Sequence, residues 1–337
     1  PSKNFKVDKK HITFLSWHNS LPGYIKNLYT QLTLSKSFIS VEHIKPPRLL
    51  DRNLMSKDNS FIEKNLRGLI SRLESLGTTH LVVWNGEFND ESRGYQPKYL
   101  DYIKRYTNVK IIYTEHGWFP QNKTFMIDTE GTNGSSSISK LRTVPIGHPN
   151  KHSSKKREYD TMAIDPGERD YIYVPLQLNT DTQIVNHSPF FKDMKDLIEH
   201  VAKLFSTKII IKVHPKDTLV NKKRYKEICK KYSHLKYVED MNNIGWCKFA
   251  DRVIAINSTS INEALLYNKP VMTYGINNFY DKGVTYTIKN INDTNYQQKF
   301  SEYSPDLNKV KNYINFLLSK QFNKENPNIL KALTYFQ

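Results

Sequence analysis

The sequence predicts an α/β protein made of two successive Rossmann-like units followed by a helical tail. Two observations lead to this fold class. Short apolar runs typical of buried strands alternate with segments whose apolar residues recur at helical spacing, as expected of a parallel sheet covered by helices. The alternation occurs twice, and a stretch without periodicity between residues 128 and 160 separates the two sets. With 337 residues, 38% of them hydrophobic, the chain can form two cores.

The first unit is predicted from three apolar runs that end in polar or glycine-containing turns. These strands are HITFLSW (11–17), HLVVW (80–84) and VKIIYTEHGWFP (109–120), the last of which continues into a loop. A helical pattern runs from Phe61 to Leu76. The segments TEGTNGSSSISK and PNKHSSKKREYD then predict a mobile loop and linker, which places the first domain at residues 1–160.

The second unit is predicted from a longer alternation of the same kind. Its strands are expected at 171–178, 208–215, 235–240, 252–258 and 270–275, and its helices at 191–205, 222–232 and 260–268. We therefore place the second domain at residues 161–305 and a mostly helical tail at 306–337. Two such units indicate facing domains with a cleft, where ligands bind outside the carboxyl ends of the strands.

The run IIIKVHPKD places a histidine at the carboxyl end of a predicted buried strand. Pro215 stops the strand directly after His214, and Lys212 and Lys216 flank it. A histidine can donate to a phosphate, or protonate a departing one, near neutral pH. A histidine with a purely structural role is the alternative.

A second strand end has the sequence INSTSINEALLYNKPV. Either Ser258 or Thr259, which follow Asn257, is expected to cap the next helix. Backbone amides, hydroxyls and the helix dipole together form an anion site, although a plain helix cap would show the same pattern. Glu263 lies where a carboxylate could reach ribose hydroxyls.

A third strand end has the sequence VPLQLNTDTQI, which contains Gln177, Asp181 and Gln183. Asp181 is either a turn residue or a carboxylate directed into the cleft. In the second case it could serve as a nucleophile on an anomeric carbon, or as a base.

Two strand ends of the first unit carry further candidates. In YTEHGWFPQ, Glu115 beside His116 is an acid/base candidate, and Trp118 offers a ring on which a sugar could stack. A packed loop is the alternative. Asn85 and Gly86, in WNGE, form a similar but weaker signal.

Composition limits the classes of partner. The net charge is +17, from 50 basic and 33 acidic residues, which favours anionic partners. No nucleic-acid-binding module is recognisable, so no nucleic acid is expected. Cys229 and Cys247 are expected to be reduced thiols, and no metal, dinucleotide or P-loop motif occurs. Without a signal peptide or a transmembrane run, we expect a cytoplasmic protein with peripheral contact to an anionic membrane.

The order VPLQ…NTD, KVHPKD and INSTSINEALLYNKPV resembles that of bacterial capsule polysaccharide synthesis proteins. More narrowly, it is similar to the retaining β-Kdo glycosyltransferases of capsule and lipopolysaccharide assembly, over about residues 80–280. The resemblance implies a GT-B architecture and a CMP-β-Kdo donor. It implies retaining transfer to a saccharide or lipid-linked glycan acceptor through an aspartyl adduct, with no metal or other cofactor.

The resemblance also implies residue roles. Asp181 would be the nucleophile, Glu115 the acid/base group and His214 a contact to the donor phosphate. The donor-binding residues would be His214, Lys216, Asn257, Ser258, Thr259 and Glu263. The sugar or acceptor cleft would contain Asn85, Gly86, His116, Trp118, Gln177 and Gln183.

Other functions remain open at this stage. An inverting CMP-sialic acid transferase would share the His-Pro and serine elements, but its usual acidic Asp/Glu-Asp/Glu-Gly element is not found. A UDP-sugar transferase or epimerase would share the fold. A non-catalytic basic protein that binds polysaccharide or nucleic acid would instead bind with a steep salt dependence and without need of Asp181.

Overall fold

The structure, a computed structural model, describes residues 10–15, 21, 23–35, 38, 40–44, 59–87 and 96–337. Contacts divide the chain into two compact units, Pro1–Thr132 with Gln321–Gln337, and Asn133–Lys320. The predicted domain boundaries at 160 and 305 do not coincide with these divisions. The segment before residue 160 belongs with the second unit, and the last residues of the tail belong with the first.

The first unit contains a six-stranded sheet. Its strands are β1 (His11–Leu15), β2 (Ser40–Ile44), β3 (His80–Trp84), β4 (Lys110–His116), β5 (Thr124–Asp128) and β12 (Phe322–Asn323), in the spatial order β12-β5-β4-β3-β1-β2. The central pairs are parallel, whereas β5 and β12 add in the antiparallel sense. The helices are α1 (Gly23–Leu34), α2 (Asn59–Ser75), α3 (Gln96–Tyr106) and α13 (Ile329–Leu333).

Both faces of this sheet are covered, as expected of a mainly parallel sheet. Because side chains alternate along a strand, Ile12 and Phe14 pack on the face covered by α1 and α13, whereas Leu15 packs on the opposite face. The predicted strand 11–17 is observed over β1. Its last two residues, and most of the turn that follows, lie outside the described residues.

The second unit contains a fully parallel six-stranded sheet. Its strands are β6 (Ile172–Pro175), β7 (Ile209–Lys212), β8 (Leu235–Val238), β9 (Arg252–Ala255), β10 (Val271–Thr273) and β11 (Tyr286–Thr287), in the order β11-β10-β9-β6-β7-β8. The helices are α4 (Ser137–Lys140), α5 (His152–Met162), α6 (Thr182–His187), α7 (Met194–Leu204), α8 (Leu219–Cys229), α9 (Asn243–Phe249), α10 (Ser260–Leu266), α11 (Tyr296–Glu302) and α12 (Leu307–Lys320).

This strand order is that of a doubly wound dinucleotide-binding sheet. The chain proceeds from β6 outward to β8, then returns to the other side of β6 with β9 and proceeds outward again. The direction of winding therefore reverses between β6 and β9. In sheets of this kind the reversal opens a crevice at the carboxyl ends of the two strands, where ligands bind.

The predicted loop and linker at 128–160 is wrong in part, because much of it is structured. α5 buries Tyr159 completely, and the backbone amide of His152 donates to Asn315 Oδ1 at 2.8 Å. Lys282 Nζ donates to the carbonyls of Ser139 and Leu141 at 3.2 and 2.6 Å. The many serines and lysines concealed this helix because only one side of it is buried.

The tail is mostly helical, as predicted, but it also contains the short strand β12. Phe322 pairs with Phe125 of β5, and the two rings stack with centroids 5.2 Å apart. No helix in the described ranges is both long enough and apolar enough to cross a bilayer.

Candidate active site

The reversal point of the second sheet brings three predicted site segments to one edge. Pro175 of β6 lies opposite Lys212 of β7, and Tyr173 of β6 lies opposite Val253 of β9. By this register, Gln177, His214 and Asn257 follow their strands at the same level. Neighbouring strands are about 4.8 Å apart, so the backbones of His214 and Asn257 are about 10 Å apart, with the end of β6 between them.

A buried amide pair bridges the reversal point. Gln177 Nε2 donates to Asn257 Oδ1 at 3.0 Å, and the backbone N–H of Asn257 donates to Gln177 Oε1 at 3.2 Å. Asn257 Nδ2 also donates to the carbonyl of Gln183 at 2.8 Å, and the Asn257 side chain is fully buried. Since their polar atoms are used inside the protein, we expect Gln177 and Asn257 to hold the edge in shape rather than to contact a ligand directly.

His214 lies at this edge in a defined orientation. The amide of Lys216 donates to His214 Nδ1 at 3.2 Å, so a neutral ring carries its proton on Nε2 and can donate from there. Burial lowers the pKa of His214, and the negative charge of Asp181 opposes this effect. The His214 side chain is therefore suited to donate a hydrogen bond from Nε2 to an anion. The charge interaction indicates that the Asp181 carboxylate lies near the imidazole ring.

The segment after β9 forms the predicted turn into a helix. Ser258 is nearly buried, and its Oγ accepts a hydrogen bond from the amide of Ser260 at 3.3 Å. Thr259 precedes α10 in helical conformation, and its side chain does not cap the helix. Ser258 thus performs the capping that the sequence assigned to either residue.

A partly buried polar cluster lies beneath this edge, on the face of the sheet covered by α9 and α10. Asn243 Nδ2 donates to Glu263 Oε2, and Asn243 Oδ1 accepts from the Tyr173 hydroxyl at 2.6 Å. Lys212 is only 6% exposed, and its ammonium forms no hydrogen bond or ion pair with another described residue. Burial lowers the pKa of Lys212, while the nearby carboxylates of Asp240 and Glu263 raise it.

The Glu263 carboxyl should make stability depend on pH. Burial raises its pKa to about 7 from an ordinary value of 4.5, against the Asn243 hydrogen bond and the Lys212 charge. The folded chain therefore holds a proton that the unfolded chain has lost, and the free energy of unfolding falls as the pH rises from 4.5 to about 7.

We expect Glu263→Gln to remove this fall, which would make the variant more stable than the parent above neutral pH by about 1–3 kcal/mol. Urea denaturation across this pH range measures the effect. The exposed Glu302→Gln serves as the control and should leave the parent's pH profile unchanged. An identical slope for parent and Glu263→Gln would contradict the assignment.

Asp181 caps a helix. It precedes α6 in extended conformation, and its Oδ1 accepts a hydrogen bond from the backbone N–H of Gln183 at 2.9 Å. This is the structural role that the sequence left open beside a catalytic one. The cap fixes the carboxylate at the end of the β6 segment, near enough for its charge to act on His214. Asp181 can therefore cap α6 and still lie where a carboxylate could act on a ligand beside His214.

The candidates of the first unit also come together, at the carboxyl ends of β3 and β4. Asn85 Nδ2 donates to Glu115 Oε2 at 2.6 Å, and the amide of His116 donates to Glu115 Oε1 at 2.8 Å. Asn85 adopts a left-handed backbone with φ of 63°. Hydrogen bonds to both oxygens stabilise the carboxylate form, which suits a base more than an acid.

The glycines and the tryptophan near this cluster are packed. Gly86 has φ of 80°, and a Cβ there would lie 2.7 Å from the Tyr113 ring. A Cβ at Gly117 would lie 2.4 Å from Thr124 Oγ1, so Gly117 makes room for a neighbouring strand rather than for a ligand. Trp118 is only 6% exposed, which leaves little ring surface for the stacking that the sequence predicts.

Sequence reasoning missed two residues of these clusters. Lys324 comes from the tail and places Nζ 2.9 Å from His116 Nδ1, a contact between residues 208 positions apart. Asn243 links Tyr173 to Glu263, and it lies in a helix that was not predicted because NIGWCKF is short and contains glycine.

Within the described residues, no group of three or more His, Cys, Asp or Glu converges on a metal position.

The two doubly wound units define a protein of the GT-B fold, and solved structures agree. The chain is similar to the KpsC β-Kdo 2,7 transferase of Thermosulfurimonas dismutans over 97% of its length and 98% of that chain, with 16% identity and a TM-score of 0.56. The chain is also similar to the KpsC β-Kdo 2,4 transferase of that organism, over 96% of its length and 97% of that chain, with 12% identity and a TM-score of 0.53. At these identities the likeness shows the fold.

Residues 140–324 match the capsule polysaccharide biosynthesis protein family, and the chain belongs to that family. The capsule family predicted from the motif order is thereby confirmed. The capsule polysaccharide export protein KpsS of Escherichia coli is 32% identical over 164 residues, which is 44% of this chain and 40% of the relative. The match thus takes in less than half the length of that protein. Asp181, His214 and Ser258 lie within the family match, whereas Asn85 and Glu115 precede it.

Proposed function

We propose that the chain is a glycosyltransferase of capsule synthesis that moves Kdo from CMP-β-Kdo to a saccharide acceptor with retention. The observation that carries the proposal is the meeting of Asp181, His214 and Ser258 after three adjacent strands at the reversal point of the second sheet. The family match and the fold shared with proteins described as β-Kdo transferases support it.

The donor phosphate is proposed to lie over the end of β6, between His214 and Ser258. Nε2 of a neutral His214 can donate from one side, and the Ser258–Thr259 turn offers hydroxyl and amide groups from the other. Lys212 supplies a buried positive charge beneath the edge, and Lys216 supplies an exposed one. These groups would stabilise the charge that develops on departing CMP, without a metal ion.

The proposed reaction has two displacements. The Asp181 carboxylate attacks the anomeric carbon of Kdo, and the bond to the CMP phosphate oxygen breaks with its electron pair retained by CMP. An acceptor hydroxyl then attacks the same carbon, its proton passes to a base, and the bond to Asp181 breaks. Two inversions give retention. The resemblance to the β-Kdo transferases makes Glu115, which accepts a hydrogen bond from Asn85 Nδ2, the residue to test for the role of the base.

A thermal-shift panel with CMP, UDP, GDP and AMP tests the nucleotide part of the proposal. We expect CMP to raise the melting temperature more than the other three, because binding to the folded state alone stabilises it by mass action. Stabilisation by UDP instead of CMP would keep the fold and overturn the donor. The absence of any shift, together with vesicle- or polysaccharide-binding that weakens steeply with salt, would favour the non-catalytic binding protein.

A further inference from the structure

Helix α8 begins with two exposed aliphatic side chains. Leu219 is 84% exposed and Val220 is 77% exposed, and they are the first two residues of the helix. The buried side of α8 is formed by Tyr225, Ile228 and Cys229. The aliphatic pair therefore lies outside the core, and it exposes apolar surface at a cost that a bound partner would remove.

Lysines surround this pair. Lys223 and Lys226 follow Leu219 by four and seven positions, which places them on the same side of the helix, and both are exposed. Lys216, also exposed, precedes the helix. No ion pair ties any of these three lysines to another described residue. We call Lys216, Leu219, Val220, Lys223 and Lys226 the α8 patch.

The other two basic residues of α8, and Lys230 directly after the helix, differ because each forms an ion pair with a carboxylate. The pairs are Lys222 with Glu239 at 3.9 Å, Arg224 with Asp193 at 2.7 Å and Lys230 with Glu227 at 2.7 Å. The lysines of α8 that form no ion pair within the described part of the chain, Lys223 and Lys226, thus lie beside the aliphatic pair, although the charge of exposed Glu227 also acts on both. An exposed apolar pair beside exposed lysines that form no ion pair with a described residue is complementary to a surface with anionic groups over an apolar layer.

We propose that the α8 patch docks the second unit onto an anionic lipid bilayer. Leu219 and Val220 would enter the boundary between headgroups and acyl chains, and the three lysines would contact lipid phosphates. The patch contains none of the Trp, Tyr or Arg residues that dominate protein–protein hot spots, which favours a membrane over a protein partner.

The α8 patch lies at the edge of the sheet that carries the candidate active site. In a parallel sheet, the helix that follows a strand begins at the strand's carboxyl end, so the patch lies at the same edge as His214. Docking through it would bring that edge to the membrane surface. Lys216 belongs both to the α8 patch and to the proposed donor site, whereas Leu219, Val220, Lys223 and Lys226 have no role in the proposed transfer chemistry. Variants of these four residues can therefore lose vesicle binding while they retain glycosyl transfer.

Sedimentation with vesicles tests the surface on the intact chain. We expect binding to vesicles that contain phosphatidylglycerol and much weaker binding to pure phosphatidylcholine. Lys223→Gln with Lys226→Gln should weaken binding roughly twenty-five-fold at low salt, from about a fivefold factor for each lysine. Leu219→Ser with Val220→Ser should weaken it by roughly tenfold or more.

The matched controls are Lys309→Gln with Lys311→Gln, and Ile164→Ser, which alter exposed residues elsewhere in the second unit. They should bind as the parent does. Equal losses in controls and patch variants would mean that only the net charge acts, and would overturn the surface. Failure of the parent to bind anionic vesicles would overturn it as well. Unchanged melting temperatures exclude unfolding as the cause of any loss.

A fluorescent label separates insertion from mere attraction. Both native cysteines are buried, so a thiol probe on Val220→Cys would report that site. We expect a blue shift with anionic vesicles and none for the same probe on Ile164→Cys. A blue shift that instead follows protein concentration without lipid, together with a dimer that the Leu219→Ser/Val220→Ser variant loses, would assign the patch to a second copy and overturn the proposal.

Discussion

Asp181→Asn should abolish formation of a sugar adduct while it leaves the fold intact. Asparagine caps helices as well as aspartate does, so the hydrogen bond from the Gln183 amide to the side-chain oxygen is retained. An amide cannot replace the carboxylate as a nucleophile, and transfer should fall by about a thousandfold or more. Incubation with CMP-β-Kdo and no acceptor, followed by intact-mass measurement, should show a Kdo increment on the parent alone.

Asp181→Ala supplies the comparison that separates capping from chemistry. It should lose the adduct like Asp181→Asn, but it should also lose about 1 kcal/mol of stability through the missing cap. An adduct that persists on Asp181→Asn would place the nucleophile elsewhere. Transfer with inverted anomeric configuration and no adduct on the parent would favour an inverting transferase, with CMP-sialic acid as the next donor to examine.

Loss of the His214 or Ser258 side chain should weaken CMP binding by about 1–3 kcal/mol each, the range of a hydrogen bond to a charged group. The reason is the placement of both residues at the reversal point, on either side of β6. Calorimetric titration of CMP into His214→Ala and Ser258→Ala measures the loss. Neither substitution should weaken the binding of cytidine, because cytidine lacks the phosphate.

His234→Ala is the matched control for the histidine. His234 precedes β8 at the opposite, amino edge of the sheet, and its Nε2 lies 3.1 Å from the carbonyl of Ala202. It should bind CMP as the parent does. Equal CMP affinity for His214→Ala, Ser258→Ala and the parent would move the phosphate site away from this edge. A loss for cytidine as large as for CMP would assign these residues to the nucleoside instead.

The central strands of both sheets could be predicted from sequence because strands buried on both faces are mostly apolar, whereas β2, β5, β11 and β12 were not predicted. IIIK and RVIA are recognisable locally, and after one further apolar residue each is followed by the polar residues of the edge. Short or polar helices were missed: α5 buries only one side, and α9 has seven residues. Their stability comes from tertiary contacts such as those of Tyr159 and Trp246, which no local pattern contains.

The position of the candidate site in the fold was predictable to a similar degree, whereas the roles of its residues remain predictions. His214, Ser258 and Asp181 could be located because a strand end is a local feature. The internal use of Asn257, the charge of buried Lys212 and the contact of Lys324 with His116 could not, since each depends on segments far apart in the chain. Sequence alone offers no measure of whether a polar side chain at a strand end faces solvent or another amide.

The return of the tail to the first sheet has a consequence for synthesis. β12 pairs with β5, and Phe322, Ala332 and Phe336 complete the core over β1. During translation, the second unit is therefore fully available for folding before the first one is. Until residues 321–337 leave the ribosome, the edge of β5 is unpaired and the core under α1 lacks Phe322, Ala332 and Phe336, so the nascent first unit is the part that would need a chaperone.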